Sequence, residues 1–204
     1  MNDTLLIVFA KNKLLGKVKT RLAKTIGAQD ALRVYERLLE ITEKASSQIE
    51  GVDLRIYYSH AIDDSSWVQH NDKYVQVGES LGERMGNAFE KGFQDGYKKI
   101  IGIGADLDKM DQQTILDAKH LLQTNDFVFG PAADGGYYLI GLNGKKGDYV
   151  FIDKPWSTSS LLQVTLEEIN TNNHQYALMD TRNDIDNIED LRQSSIAVEF
   201  AGIF

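Results

Sequence analysis

Short apolar runs alternate along the chain with segments whose apolar residues recur at helical spacing, and this alternation constrains the fold more than any other feature. Residues 5–10 and 99–104 are typical of buried strands, whereas residues 28–46 and 81–97 have the spacing of amphipathic helices. Strands that alternate with helices favour a mostly parallel sheet with helices on both faces. The sequence therefore predicts a Rossmann-like α/β fold.

The remaining segments extend the same alternation. Further strands are predicted at 52–58, 74–77, 127–130, 137–142 and 175–179, and further helices at 111–122, 158–169 and 189–193. No repeat or linker divides the 204 residues, so we expect a single domain over 1–204. Ligands of such sheets bind beyond the carboxyl ends of the strands, which draws attention to the loops after Ala10, Gly104, Gly130 and Met179.

Composition narrows the classes of function. The chain contains no cysteine, which excludes disulfides and thiolate metal sites. A net charge of −8 argues against a nucleic-acid partner. No apolar stretch is long enough to span a bilayer, and the N-terminus lacks the features of a signal peptide. We expect a cytoplasmic protein that binds neither nucleic acid nor membrane.

A basic segment follows the first predicted strand. Residues 11–24 contain six basic side chains and no acidic one, in an otherwise acidic chain. Lys11, Lys17, Lys19 and Arg21 are candidate phosphate ligands, and Gly16 would allow a close backbone approach or a positive φ. The segment matches neither a Walker A loop nor a dinucleotide-binding loop. It predicts a nucleotide ligand, with an ordinary basic surface as the alternative.

Two aspartates follow the buried strand at 99–104. If the backbone stays extended, Asp106 and Asp108 point the same way and together can hold Mg²⁺ or Mn²⁺. The alternatives are an Asx-turn for Asp106 and a solvated loop carboxylate for Asp108.

A glycine-rich loop and an acidic segment are the remaining candidates. Asp134, Gly135 and Gly136 predict tight backbone geometry, either beside a ligand or in a hairpin turn. Five carboxylates lie within residues 180–190, and we expect Asp186 to point into the site.

Six motifs in order resemble the DUF2064 family of transferase-like relatives of the GT-A glycosyltransferases. They are Phe9-Ala-Lys11 with Lys19-Thr-Arg21-Leu, Leu81-Gly-Glu-Arg84-Met, Gly104-Ala-Asp106, the stretch 130–141, Trp156-Ser157-Thr158, and Asp184-Ile-Asp186 with Glu189-Asp190-Leu. The chain is also similar to the 2-phospho-lactate guanylyltransferases, which share the Lys-x-Arg-Leu loop. Two departures stand out: the family usually has a proline soon after the first lysine, and usually continues Asp-Ser/Cys-Pro where this chain has Asp106-Leu-Asp108.

The resemblance implies the nucleotide-diphospho-sugar transferase fold and a metal held by Asp106 and Asp186. Arg84 is a candidate ligand of a phosphate or base, or else pairs with Glu83 or the acidic loops. Trp156 stacks on a base or sugar, or else plugs the core. With Asp134, Gly135 and Gly136, the Trp156–Thr158 segment would face the substrate or acceptor.

The combined hypothesis is a metal-dependent transferase that binds a nucleotide or nucleotide sugar and transfers a glycosyl or nucleotidyl group to a small acceptor. Lys19, Arg21, Asp106 and Asp134 are its predicted catalytic residues. The alternative is a non-catalytic nucleotide-binding protein with a degenerate metal site. The apolar tail at 196–204 is expected either to pack on the domain or to form a homodimer interface.

Overall fold

The computed structural model describes residues 2–203, without the side chain of Lys146. Its strands are β1 (Thr4–Ala10), β2 (Asp53–Tyr58), β3 (Lys73–Val75), β4 (Lys99–Gly104), β5 (Phe127–Pro131), β6 (Tyr137–Asn143) and β7 (Tyr176–Leu178). The α-helices are α1 (Thr20–Ile26), α2 (Ala28–Ser46), α3 (Leu81–Gln94), α4 (Gln112–Leu121), α5 (Leu161–Thr171) and α6 (Ile188–Gln193). Two 3-10 helices span Lys145–Phe151 and Ala197–Ile203.

The seven strands form one sheet in the order β3-β2-β1-β4-β6-β5-β7. Strand β6 runs antiparallel to both of its neighbours, and the other described pairs are parallel. The predicted mostly parallel sheet is confirmed. Because β6 is reversed, its first residues lie at the sheet edge where β1 and β4 end.

Side-chain alternation along β1 divides the core between the two faces of the sheet. Leu6 and Val8 pack in the cluster that includes Tyr35 of α2 and Ile115 of α4. Leu5 and Ile7 point the other way, into a cluster with Met85 and Phe89 of α3 and with Phe151. The helices therefore cover both faces, as predicted.

One strand glycine is explained by the packing of α3. A Cβ atom on Gly102 of β4 would lie 2.8 Å from the ring of Phe89. This spacing indicates that the glycine allows α3 to pack closely on the sheet just below the strand ends.

The C-terminal tail packs on the protein. Ile196 and Phe200 are buried with Leu22 of α1, Leu38 of α2 and Leu191 of α6. The first of the two predicted alternatives for the tail is therefore observed over its described part, while Phe204 lies outside the described residues. The homodimer remains a prediction.

Several predicted boundaries were correct and several were wrong. Helix α2 and strand β4 have the predicted limits, and Asp111 caps α4 by accepting a hydrogen bond from the Thr114 N–H at 2.8 Å. Helix α3 ends at Gln94 instead of residue 97, because the chain turns at Gly96 with a φ of 97°.

Two further differences lie beside the strand ends. Helix α5 starts at Leu161 instead of residue 158, because the Thr158 hydroxyl is used in a turn, where it donates to the Pro155 carbonyl at 2.7 Å. Helix α1 was not predicted at all. Among residues 2–203, no helix is both long enough and apolar enough to cross a membrane.

Candidate functional site

A cavity of 530 Å³ opens at the edge of the sheet where β1 and β4 end and β6 begins. Its walls come from the loop after β1, the segment after β4, helix α3, the β5–β6 loop, residues 156–158 and the acidic C-terminal segment. Ligand sites in proteins commonly have this volume, and α/β sheets commonly place them at this edge. The cavity brings together most of the residues that the sequence singled out.

Lys19 and Asp106 form an ion pair at this edge. The Lys19 Nζ lies 2.5 Å from Asp106 Oδ1, and the lysine side chain is only 2% exposed. Asp106 lies two residues after the end of β4, and Lys19 precedes α1 in a left-handed conformation with a φ of 45°. Asp106 lines the cavity, whereas Lys19 supports it from behind and does not line the wall.

The electrostatics of the pair favour two charged groups. Burial alone would lower the pKa of Lys19, but the carboxylates of Asp106, Asp186 and Asp184 outweigh burial and raise it. Burial alone would raise the pKa of Asp106, but the neighbouring Lys19 and Lys11 outweigh it and hold the pKa below its usual value. Both groups therefore remain ionised near neutral pH.

Asp186 also pairs with the Lys19 ammonium group. Its Oδ1 lies 3.6 Å from Lys19 Nζ, and its Oδ2 lies 3.1 Å from Arg21 Nη1. Its backbone N–H donates to Asp190 Oδ2 at 3.0 Å, and Asp190 forms a capping box with Asn187 at the start of α6. Two carboxylates from distant parts of the chain thus converge on one ammonium group, and both line the cavity. Arg21 pairs with Asp186 and, like Lys19, is absent from the wall.

Asp184 is a site residue that sequence reasoning did not single out. It lines the cavity, and its pKa is raised to about 7. Burial is the largest cause of the raised pKa. The negative charges of Asp106, Asp186 and Asp134 raise the pKa further, and together they outweigh the lowering effect of Lys19. Its position two residues before Asp186 in an irregular, extended segment was the available signal, because alternate residues of such a segment share a side.

The basic loop contributes two lysines to the cavity wall, Lys11 and Lys17. The Tyr35 hydroxyl fixes the Lys11 backbone, accepting from its N–H at 2.7 Å and donating to its carbonyl at 3.0 Å. Gly16 has a φ of 73° and lies in a turn closed by a 2.9 Å bond from Lys17 N–H to the Leu14 carbonyl. It is absent from the cavity wall, so its role is the turn.

Asn12 is a second residue that the sequence reasoning missed. Its Oδ1 accepts the His60 N–H at 2.8 Å and its Nδ2 donates to the Ala61 carbonyl at 2.7 Å, which ties the basic loop to the loop after β2. The amide thus anchors the chain in the stretch where the family usually has a proline.

Asp108 is not brought into the site. The chain turns at residues 108 and 109, and the Asp108 Oδ2 accepts the Ser195 N–H at 2.5 Å. Asp108 is absent from the cavity wall. The backbone does not stay extended, so Asp106 and Asp108 do not form the predicted pair at this edge.

The glycine-rich loop is a hairpin and also a wall of the cavity. Asp134 Oδ1 accepts the Gly136 N–H at 2.9 Å, and both residues line the cavity. Gly135 does not. It has a φ of 90°, and a Cβ atom there would lie 2.1 Å from the Ser159 carbonyl oxygen, so its glycine is required by packing against the 158–160 segment.

Arg84 and Trp156 line the opposite end of the cavity, with Ser157 and Thr158 beside them. Arg84 Nε donates to the Gly78 carbonyl at 2.9 Å. Within the described part of the chain Arg84 forms no ion pair with Glu83, whose carboxylate accepts the Glu79 N–H. Trp156 is half-buried against the core and meets Tyr137 edge to face, with 6.2 Å between ring centroids.

No three or more acidic or histidine side chains within residues 2–203 are grouped so as to hold a metal ion on their own. Any metal at this edge would therefore need ligands from a bound substrate as well as from the protein.

Comparison with solved structures defines the class of fold. A protein from Desulfovibrio desulfuricans G20, provisionally described as a nucleotide-diphospho-sugar transferase, is 29% identical with a TM-score of 0.88, over 99% of this chain and 95% of that chain. The 4-diphosphocytidyl-2C-methyl-D-erythritol synthase of Anaerococcus prevotii DSM 20548 shares the fold at 12% identity and a TM-score of 0.63, over 96% of each chain. A CMP:2-keto-3-deoxy-manno-octonic acid synthetase, solved with CTP, shares the fold at 12% identity and a TM-score of 0.54, over 98% of this chain and 99% of that chain.

This is the nucleotide-diphospho-sugar transferase fold, and the match to the Desulfovibrio protein confirms the predicted transferase class. The model of DUF2064, a family described as uncharacterized and conserved in bacteria, matches residues 42–158, which is more than half of the chain. The chain belongs to the DUF2064 family, as its motifs predicted. No curated protein sequence matches it.

Proposed function

We propose that the protein is a nucleotidyltransferase that joins a nucleoside monophosphate unit to a small phosphorylated acceptor. The observation that carries the proposal is the buried Lys19 ammonium between Asp106 and Asp186, beside a cavity wall that also presents Lys11 and Lys17. Paired carboxylates and exposed lysines at one strand edge suit a polyphosphate and its counter-ion.

Lys11 and Lys17 are proposed to bind the phosphates. Both side chains are exposed on the cavity wall, and neither takes part in an ion pair within the described residues. The tie between the Lys11 backbone and Tyr35 fixes where its side chain starts. Lys19 and Arg21 are assigned a positioning role, since both contact carboxylates of the wall without lining it. Lys19 does so from a buried position and Arg21 from the exposed surface.

The donor set fits Mg²⁺ or Mn²⁺ if the nucleotide completes the coordination. Mg²⁺ in proteins usually takes one or two carboxylates, with substrate phosphates and waters in the other positions. Asp106 and Asp186 already converge on one cation, the Lys19 ammonium, and these two carboxylates are the proposed protein ligands. When bound, the metal would neutralise charge on the phosphate oxygens.

The proposed reaction is a displacement at phosphorus. An oxygen of the acceptor phosphate attacks the α-phosphorus of a nucleoside triphosphate, the bond from that phosphorus to the bridging oxygen breaks, and pyrophosphate leaves with the electron pair. Lys11 and Lys17 would stabilise the charge that accumulates on the leaving group. Asp134 and the adjacent Gly136 would face the acceptor.

Glycosyl transfer is the second candidate, because the Desulfovibrio protein is described as a nucleotide-diphospho-sugar transferase. An Asp-x-Asp sequence such as Asp106-Leu-Asp108 would also favour glycosyl transfer, but Asp108 bonds to Ser195 and is absent from the cavity wall. Two of the fold relatives are instead named for joining a cytidylyl unit to an acceptor, and one of them was solved with CTP. The position of Asp108 and the names of these two fold relatives therefore favour nucleotidyl transfer over glycosyl transfer.

The test is to incubate the protein with Mg²⁺ or Mn²⁺, each nucleoside triphosphate and a panel of phosphorylated acceptors, and to measure pyrophosphate. Loss of a sugar from nucleotide-diphosphate sugars is measured in parallel. We expect acceptor-dependent pyrophosphate release, abolished in Asp106→Asn and reduced in Lys17→Gln.

Lys13→Gln is the matched control, because Lys13 belongs to the same loop but pairs with Asp63 at 3.1 Å and is absent from the cavity wall. Sugar release without pyrophosphate release would select the glycosyl reaction. Metal-dependent nucleotide binding with neither product across the panels would select the non-catalytic alternative.

A further inference from the structure

The two ends of the cavity lie on opposite faces of the sheet. Leu107, which follows Asp106 on the cavity wall, packs in the cluster on the α2 face. Met85 and Trp156 pack on the α3 face, in or against the cluster that contains Ile7. The cavity therefore passes over the strand ends from one face to the other, and a ligand that fills it has two chemically different halves.

Arg84 brings an unpaired cation to the α3 end. Its Nε is held by the Gly78 carbonyl at 2.9 Å, and no described residue forms an ion pair or a cation–π contact with it. Gly78 has a φ of 135°, and a Cβ atom there would lie 2.7 Å from Glu83 Cβ, so a glycine allows this carbonyl to lie against the start of α3. Anchored at Nε, the guanidinium retains its Nη donors for a carboxylate or phosphate.

The walls around Arg84 are apolar. Leu81, Met85, Ile140 and Trp156 line this part of the cavity. A Cβ atom on Gly82 would lie 2.4 Å from Trp156 Nε1, so the glycine allows the indole to pack directly on α3. An aromatic side chain beside aliphatic ones favours a ring or a short apolar body, and the nearby arginine favours an anion on it.

We propose that the Arg84–Trp156 end is the acceptor site, and that the acceptor is a small organic acid. Its anionic group is held by Arg84 and its ring or apolar body lies against Trp156. This differs from the sequence-based prediction, in which Arg84 contacts the nucleotide. That the ligand is the acceptor of a transfer reaction rests on the proposed function. The anion site itself is defined by side chains alone.

Binding can be followed with phenyl phosphate, which combines a ring and an anion. Inorganic phosphate supplies the anion only and benzyl alcohol supplies the ring only. The chain has two tryptophans, and Trp67 is fully buried with its Nε1 bonded to Ser46 at 2.9 Å. A fluorescence change on titration therefore reports Trp156. Trp156→Phe should lose the signal while calorimetry still detects binding.

We expect phenyl phosphate to bind at least about tenfold more tightly than either fragment, because the two contacts combine in one ligand. Arg84→Gln should weaken phenyl phosphate about tenfold or more while nucleoside triphosphate binding with Mg²⁺ changes less than about twofold. Lys17→Gln should show the reverse pattern. Arg84→Lys keeps the charge but not the planar fork, and should recover only part of the affinity.

Three results would overturn the assignment. First, Arg84→Gln weakens nucleotide binding as much as phenyl phosphate binding. Second, Arg84→Gln leaves phenyl phosphate binding unaffected in a protein that is folded at the assay temperature. Third, benzyl alcohol binds as tightly as phenyl phosphate. A failure of the proposed function looks different. In that case no nucleoside triphosphate binds, while the Arg84-dependent binding of phenyl phosphate persists.

Discussion

The cations at the two ends of the cavity differ in burial and in charge pairing. At one end Lys19 is buried and its charge is matched by Asp106 and Asp186. At the other end Arg84 is half-buried and, among the described residues, has only a backbone carbonyl for a partner. A buried charge that lost its partners would be costly, so Lys19 holds the structure together as well as the site. The Arg84 guanidinium has no carboxylate partner among the described residues, so it can pair with an anionic ligand. Replacing Arg84 should therefore affect ligand binding more than folding.

The largest expected effect on stability follows from Lys19→Met. The substitution leaves two carboxylates without their common cation. Because Asp106 is 30% exposed and Asp186 is 44% exposed, we expect a loss of about 2–3 kcal/mol of unfolding free energy, below that of a fully buried pair. Urea denaturation followed by circular dichroism measures it. Adding Asp106→Asn to Lys19→Met should recover part of the loss, and a double variant no more stable than the single one would contradict the pairing.

Gly82→Ala should disturb only the Arg84–Trp156 end of the cavity. The added methyl group meets the Phe151 carbonyl oxygen and Trp156 Nε1, each 2.4 Å from the Cβ position. Overpacking of this kind costs about 1–3 kcal/mol and should displace the indole. Trp156 fluorescence should shift, and affinity for phenyl phosphate should fall. Gly86→Ala is the matched control, since its Cβ position lies 3.4 Å from the nearest atom, on Phe151.

Acid should reduce the difference between wild type and Lys19→Met. The pKa of Asp106 lies below its ordinary value of 3.8, so the pair's contribution is present above pH 4 and is lost as the pH falls through the folded-state pKa. The raised pKa of Lys19 puts the alkaline limit above 10.5. Between pH 6 and pH 3 the gap in unfolding free energy should narrow, because Asp106 begins to bind a proton in the unfolded state before it does so in the folded state. A constant gap would mean that the pair does not titrate as described.

Arg84→Gln should have the smallest effect on stability. It removes one hydrogen bond from a half-buried side chain, which is worth about 1 kcal/mol. The melting temperature in the absence of ligand, measured by scanning calorimetry, should fall by only a few degrees. A loss as large as that of Lys19→Met would make Arg84 a structural residue and remove the contrast between the two ends.

Local periodicity was enough to predict most of the fold. Strand β4 and helix α2 have their predicted limits because each has an uninterrupted pattern that packing does not alter. Parallel strands bring Ala10 and Gly104 to one edge, which is why the basic loop and Asp106 could be expected near each other. That residues 1–204 form a single domain stays a prediction.

The misses have a common origin in backbone turns. Lys19 adopts a positive φ without being glycine, so nothing local marked the start of α1. Asp108 leaves the site because the chain turns after Asp106, and its partner Ser195 lies 87 residues away in sequence. Asp184 and Asp186 are equivalent in local sequence, and only tertiary burial distinguishes them.

The contact at Gly135 has a mechanical consequence. The Leu162 N–H donates to the Gly135 carbonyl at 3.0 Å, and the space that a Cβ atom would need is filled by the Ser159 backbone. The hairpin that carries Asp134 and the segment that carries Trp156 are therefore coupled, although 22 residues separate the two side chains in sequence. We therefore expect Gly135→Ala to disturb both walls of the cavity, because the added methyl group would push the Ser159 backbone away from the hairpin.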